Sequence, residues 1–244
     1  MSTLARIIAV SIVALFMTSC VFDINLGPGV SGDGNVTIET RNISDDFDKI
    51  KVSRGVEVEL TKGNTVSLKV EADQNLQDVI TTEVDEDNGI LRISTNENIK
   101  TSTAKKVILT VKDLNDIETT SGAYVISENT FDMDKLTIES TSGSHIDIDV
   151  ITNRLKCEST SGAGIKISGR TDELNVSATS GSYVRAGDLK AKTTRVSATS
   201  GASITVNTSK ELTANATSGG SIKYSGNPEK VNKNDGVSGS IRKQ

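Results

Sequence analysis

Apolar and polar residues alternate along most of this chain, and one short phrase interrupts the alternation at regular intervals. It reads Thr120-Ser121-Gly122, Thr141-Ser142-Gly143, Thr160-Ser161-Gly162, Thr179-Ser180-Gly181, Thr199-Ser200-Gly201 and Thr217-Ser218-Gly219, with a weaker copy at Val237-Ser238-Gly239. The glycines lie 21, 19, 19, 20, 18 and 20 residues apart. Three residues before each Thr stand Ile117, Ile138, Cys157, Val176, Val196 and Ala214. Five residues before it, from the second copy on, stand Leu136, Leu155, Leu174, Thr194 and Leu212. Three residues after each Gly come Val125, Ile146, Ile165, Val184, Ile204 and Ile222, and two further on Ser127, Ile148, Ile167, Ala186, Val206 and Tyr224. A period of two places these residues on one face and the polar ones on the other. No copy has room for a helix, so each repeat reads as two or three short strands and a corner.

Such a unit cannot bury its apolar face alone, but stacked copies can. At ~4.8 Å per coil, the six intervals from Gly122 to Gly239 give a rod roughly 29 Å long. Parallel stacking turns the apolar positions into an internal column, and the Ser and Thr positions into hydrogen-bonded ladders at the corner. Gly suits a corner whose backbone angle a Cβ would hinder. The pattern predicts an all-β fold: a parallel β-helix, or solenoid, with repeats of ~20 residues. The alternative is a β-sandwich, which would show Asn-Gly or Asp-Gly hairpin turns, and the six Thr-Ser-Gly copies from Thr120 to Gly219 contain none.

The rest of the chain divides around this array. Residues 1–19 read as a lipoprotein signal peptide, 20–35 as a flexible tether and 36–244 as one β-helix domain. Within that domain, 36–115 read as irregular N-terminal coils with an inserted hairpin, and 116–244 as regular repeats and a C-terminal cap. The signal has Arg6, the apolar run Ile7 to Met17, and the small residues Thr18-Ser19. The run is too short to span a bilayer. Leu15-Phe16-Met17-Thr18-Ser19-Cys20 resembles a lipobox, with Met17 where Leu is usual, and predicts lipidation at Cys20. An ordinary secretory signal is the alternative. Gly27-Pro28-Gly29 and Ser31-Gly32-Asp33-Gly34 make the tether reading. Ile50 to Leu60 alternates around Ser53-Arg54-Gly55, a degenerate copy of the repeat, and Asp87-Asn88-Gly89 marks the hairpin. Gly226-Asn227-Pro228 with Lys230, Lys233, Arg242 and Lys243 reads as protection of a terminal sheet edge.

Phe47-Asp48-Lys49-Ile50-Lys51-Val52-Ser53 leading to Gly55-Val56, then Asn88-Gly89-Ile90-Leu91, the Thr-Ser-Gly series, and the close from Gly226-Asn227-Pro228 to Ser238-Gly239-Ser240-Ile241 together resemble the family described as "putative auto-transporter adhesin, head GIN domain". Its members are lipoproteins and secreted proteins common in Bacteroidota. The likeness covers about residues 36–243. It implies a right-handed β-helix and an adhesin-like role, and it brings no catalytic residues with it.

Composition narrows the chemistry. A net charge of −5 leaves no basic footprint for nucleic acid. His145 is the only histidine, too few for a His-built metal site, and reads as an outward, solvated or ladder residue. Cys157 sits in an apolar column and reads as a buried, inert thiol. Asp147 and Asp149 alternate on one coil, Asp45, Asp46 and Asp48 share a turn, and so do Asp85, Glu86 and Asp87. None has the spacing of a Ca²⁺ loop, so they read as solvated charge and no metal or cofactor is expected. The outer positions show no evident carboxylate cluster of the kind a polysaccharide lyase or hydrolase needs. Aromatic residues make up 3%. Tyr124 and Tyr183 fall two residues after Gly and read, with Ser144, Gly164, Ser203 and Ser221, as one outward column, a candidate ligand contact or a cover for the sheet. The function expected is a lipid-anchored, non-catalytic adhesin or glycan- or protein-binding module of the cell envelope. It would be held to the outer membrane, on either side, by acyl chains at Cys20. A β-helix carbohydrate-active enzyme and an envelope scaffold are the alternatives.

Overall fold

A computed structural model describes residues 28–244. The segment read as a signal peptide and Cys20 lie outside the described residues. No α-helix forms among the described residues, and the strands wind as a β-solenoid of about seven turns. The N-terminal part holds β1 (Val30–Ser31), β2 (Val36–Arg41), β3 (Lys49–Val52), β4 (Glu57–Lys62), β5 (Ser67–Asp73), β6 (Ile80–Asp85), β7 (Ile90–Thr95), β8 (Ile99–Thr101) and β9 (Lys105–Val111). The repeats hold β10 (Asp116–Thr119), β11 (Tyr124–Ser127), β12 (Phe131–Ser140), β13 (His145–Ser159), β14 (Gly164–Ala178), β15 (Tyr183–Ala198), β16 (Ser203–Ala216), β17 (Ser221–Ser225), β18 (Lys230–Asp235) and β19 (Ser240–Lys243). In the middle coils each repeat is one long, bent strand rather than two or three short ones. β13 to β16 each run unbroken between successive corners, so in these coils the Thr-Ser-Gly turn is where the strand stops.

Coils pair in parallel, and like residues lie over like. Val58, Val125, Ile146, Ile165, Val184, Ile204 and Ile222 form one column, all buried. Ile50, Ile117, Ile138, Cys157, Val176, Val196 and Ala214 form the facing one, also buried. Each fully buried Val, Ile or Leu contributes about 1.5–3 kcal/mol. Thr194 breaks the Leu column and is fully buried, and its hydroxyl accepts a hydrogen bond from Thr208 Oγ1 at 2.6 Å. Cys157 lies wholly inside, and burial raises its thiol pKa far above the usual range.

The corner is a specific turn. Ser161 and Gly162 both have positive φ, at 53° and 72°, and the Ala163 N–H closes on the Thr160 carbonyl at 3.1 Å. This is the type I′ pattern, which elsewhere closes hairpins. Here the flanking strands do not pair with each other; they pair with the coils above and below. All six Thr-Ser-Gly copies repeat it, as do Arg54 and Gly55 in the degenerate one, at φ 56° and 68°; in the weak last copy only Ser238 has positive φ, and the Gly239 N–H closes on the Gly236 carbonyl. The corner ladder is carried by the backbone: the Gly N–H of one coil donates to the Ser carbonyl of the next, as in Gly143 to Ser161 and Gly162 to Ser180, both 3.1 Å. Among the described residues, the corner threonines bond across coils at one place, Thr217 Oγ1 to Thr199 Oγ1, 3.2 Å.

Residues 36–115 join the same sheet, β3 pairing with β10 and β4 with β11. Two antiparallel excursions cover this end. One is the hairpin β6–β7; the other is β5, which lies between β9 and β2. The tether reading needs correction at its far end. Val30 and Ser31 pair with β8, and the Val30 N–H donates to the Asn98 carbonyl at 2.9 Å. The buried Asp73 carboxylate accepts the N–H groups of Gly34, Thr103 and Ala104 at 2.6, 2.7 and 3.1 Å. Burial pushes the Asp73 pKa up, but these three amides outweigh it and the pKa is lowered. Glycine at 32 lets the chain pass closely, since a Cβ there would sit 2.6 Å from Asp73 Cγ. A glycine-rich stretch is therefore docked, because its small residues suit a close approach as well as they suit a free linker.

Candidate functional site

The column two residues after each corner Gly is the most chemically distinctive part of the surface. It runs Glu57, Tyr124, His145, Gly164, Tyr183, Ser203 and Ser221. The sequence expectation placed Ser144 in it, and the structure corrects this. His145 holds that rung, while Ser144 is one position earlier, 2% exposed, and donates to the Thr141 carbonyl at 2.7 Å. The two tyrosines are thus linked through the single histidine. The Tyr124 and His145 rings stack with centroids 5.3 Å apart and planes 7° apart. Tyr183 leans back across Gly164 and brings its hydroxyl 3.3 Å from His145 Nδ1. Gly164 makes this possible: a Cβ there would lie 2.3 Å from Tyr183 Cζ.

The next outward column supplies charge. Asp147, Lys166 and Arg185 follow one another on successive rungs. Lys166 pairs with Asp147 at 2.9 Å, and the Arg185 guanidinium sits 4.8 Å from the centroid of the Tyr183 ring. Burial lowers the His145 pKa, with Arg185 and Lys166 adding to this and Asp147 opposing it. Burial also raises the Tyr124 pKa, helped by Asp147 and Glu57. The site is therefore built of neutral rings with a charged border. The faces of Tyr124 and His145 turn toward each other and the Tyr183 face is covered by Arg185, so the column presents polar edges rather than open ring faces.

Another outer face carries a feature that reading along the chain missed. Lys51, Glu118, Glu139 and Glu158 stand on successive rungs, with Asp116 beside them. Glu118 pairs with Lys51 at 2.5 Å, and Lys156 reaches Glu158 at 2.9 Å and Glu139 at 3.9 Å. Asp116 is half-buried, and burial together with Glu139 and Glu118 raises its pKa to about 6, against Lys49 and Lys156. Glu118, Glu139 and Glu158 lie about twenty residues apart along the chain, so only the coil register reveals the cluster; aligning the copies by their Thr would have found it. One or two members of each acidic turn have partners: Asp45 pairs with Lys112 at 2.8 Å, Asp48 accepts from Asn115 at 2.6 Å, and Asp85 accepts from Asn88 and Arg92. Among the described residues no group of three or more His, Cys, Asp or Glu is placed to hold a metal ion, and no helix is long and apolar enough to cross a membrane.

Fold and surface together define an adhesin-like β-solenoid. The model of the family described as "putative auto-transporter adhesin, head GIN domain" matches residues 46–228, and the chain belongs to that family. Crystal structures with the same fold include a putative adhesin from Bacteroides fragilis, 23% identical with a TM-score of 0.81, covering 88% of this chain and 100% of that one. A putative lipid binding protein from Parabacteroides distasonis is 23% identical with a TM-score of 0.69, over 88% and 99% of the two chains. A putative adhesin from Parabacteroides merdae is 18% identical, also at 0.69, over 88% and 98%. No curated protein matches this sequence.

Proposed function

We propose that the protein is a lipid-anchored, non-catalytic module of the cell envelope that binds glycan through the edges of the Tyr124–His145–Tyr183 column. The observation that carries this reading is the continuous ring column bordered by Asp147, Lys166 and Arg185. Phenol hydroxyls, a neutral imidazole and fixed charges on a rigid sheet match a surface rich in hydroxyl groups. Each contact is weak, and a regular face multiplies them. The family's description as an adhesin supports the role. The lipobox-like Leu15 to Cys20 supports anchoring by acyl chains at Cys20 in the outer membrane.

The test is a glycan array with a soluble form beginning at Asn25, scored for retention and for cleavage products. Retention that is lost in Tyr183→Phe, which keeps the ring and removes the hydroxyl, supports edge recognition. Retention unchanged in Tyr183→Phe and in Tyr124→Ala refutes it.

A second reading rests on Asp116. A carboxyl group with a pKa near 6 beside other carboxylates is a pattern of glycoside hydrolysis. Against it, Glu118, Glu139 and Glu158 are each held by a lysine. Cleavage products that vanish in Asp116→Asn would make this the correct reading.

A further inference from the structure

A groove of about 900 Å³ runs along a different face, beyond the bend that follows the aromatic column. Its size lies in the range of ligand pockets. One wall is a column in rung register: Asp132, Ile151, Arg170, Lys190 and Asn207. On the opposite wall Asp172 is neutralised by Lys192 at 2.7 Å, and Asp134 by Arg154 at 3.2 Å. Arg170 and Lys190 are both exposed, adjacent, and have no carboxylate within ion-pair distance among the described residues. Like charges on neighbouring rungs repel, so the fold gains nothing from this pair.

Two backbone irregularities put the cations there. Gly169, at φ 106°, carries the chain so close under the preceding coil that a Cβ would lie 2.0 Å from the Val150 carbonyl oxygen, and Arg170 follows it. In β15 the register slips between Ala186 and Lys190, and Leu189 turns fully inward. Against β14 the register shifts earlier, where Lys166 and Ser168 face Arg185 and Asp188, and that shift brings Lys190 onto the rung of Arg170. Bulges that re-aim a side chain are common beside binding sites. Lys223 and Arg242 form another adjacent pair on the last coils with no carboxylate at ion-pair distance among the described residues, but they do not line this groove.

We propose that the groove binds an acidic saccharide, with its carboxylate or sulfate held between Arg170 and Lys190. The sugar ring lies on Ile151 and Met133, and Asp132 and Asn207 take its hydroxyl groups. Arginine and lysine together favour such an anion through charge-assisted hydrogen bonds. The proposal shares with the aromatic-column reading only the premise that the ligand is a glycan.

The test is calorimetric titration of the soluble protein with four probes: oligogalacturonate, its fully methyl-esterified form, a sulfated oligosaccharide of equal length, and inorganic sulfate. Oligogalacturonate, the sulfated oligosaccharide or both should bind at least tenfold tighter than the ester and than inorganic sulfate, and more weakly as salt rises. Arg170→Ala with Lys190→Ala should lose at least tenfold in affinity for the acidic probe, while Lys223→Ala with Arg242→Ala should leave it unchanged. Equal binding of acid and ester, equal loss in both double variants, no binding of either acidic oligosaccharide, or sulfate binding as tightly as the saccharides would each overturn the proposal. Tyr183→Phe separates the two sites. If it alone abolishes neutral-glycan retention, the column reading stands whatever the groove does. If acidic binding persists while Tyr183→Phe has no effect on any glycan, the groove reading stands alone.

Discussion

The Tyr183 ring lies across the Cα of Gly164, one coil away, and through that gap its hydroxyl reaches His145. The obstacle a Cβ would meet is the end of a side chain, not backbone. Gly164→Ala should therefore leave the fold intact and push Tyr183 off. His145 would then lose part of its burial, and its pKa should rise toward the ordinary value of about 6.5. Proton NMR titration of the only histidine reads this directly. An unchanged His145 titration would show that the tyrosine does not cover it.

The corner glycines give a contrast in cost. A Cβ at Gly162 meets nothing within 4 Å, so only its φ of 72° resists substitution. Gly162→Ala should cost about 1–2 kcal/mol. Gly169→Ala adds a clash with a backbone oxygen and should cost clearly more. Urea unfolding of the two variants checks the order.

The serine before each corner Gly is the strained member. Ser161, Ser180 and Ser200 sit at φ 53°, 55° and 52°. Asn tolerates that region better than Ser. Ser180→Asn should stabilise by a few tenths of a kcal/mol up to about 1, or raise Tm by about 1–4 °C. Ser180→Val should lower Tm.

Asp116 sets a pH dependence whose sign is fixed. Its pKa is about 6 when folded and about 3.9 when unfolded. The folded state thus binds the extra proton between these values, and the group's contribution falls as pH rises through that window. Allowing for solvent screening, the effect is about 1 kcal/mol. Asp116→Asn should be more stable than the parent at pH 7.5 and equal to it at pH 3.5. Asp73 has the opposite sign, because its lowered pKa makes its contribution present above about 3.9 and lost as pH falls further. Asp73→Ala should free residues 29–35, seen as faster hydrogen exchange at Gly34, Thr103 and Ala104.

Repeat length and the identity of the buried columns were legible because stacked coils make the same demand at every turn. Ile138, Cys157 and Val176 occupy one rung position and meet the same environment. What was not legible depends on neighbours about twenty residues away. Glu118, Glu139 and Glu158 look like scattered solvated charges until the register stacks them. His145 was visible as an outward residue, but its partnership with Tyr124 and Tyr183 depends on counting from Gly143 and on the space above Gly164. The slip after Ala186 has no local signature beyond Gly187. β5 alternates like any other strand, and nothing in its own sequence says that it runs antiparallel to β9.

The Gly-to-Ser amide lattice at the corner makes this protein a ruler. Each coil presents to the next the same donors and acceptors it received from the one before, so the cross-section has no memory of how many coils precede it. Excising residues 164–182 would rejoin Ala163 to Tyr183 at equivalent positions, and the shortened rod should close with its far end ~4.8 Å nearer. Reach and outline are separate quantities in such a molecule. Duplication or loss of a coil alters how far the surface extends while leaving the corner lattice in the shape it had; the ligand-touching walls change only through the residues the coil itself carries, here Gly164 and Arg170.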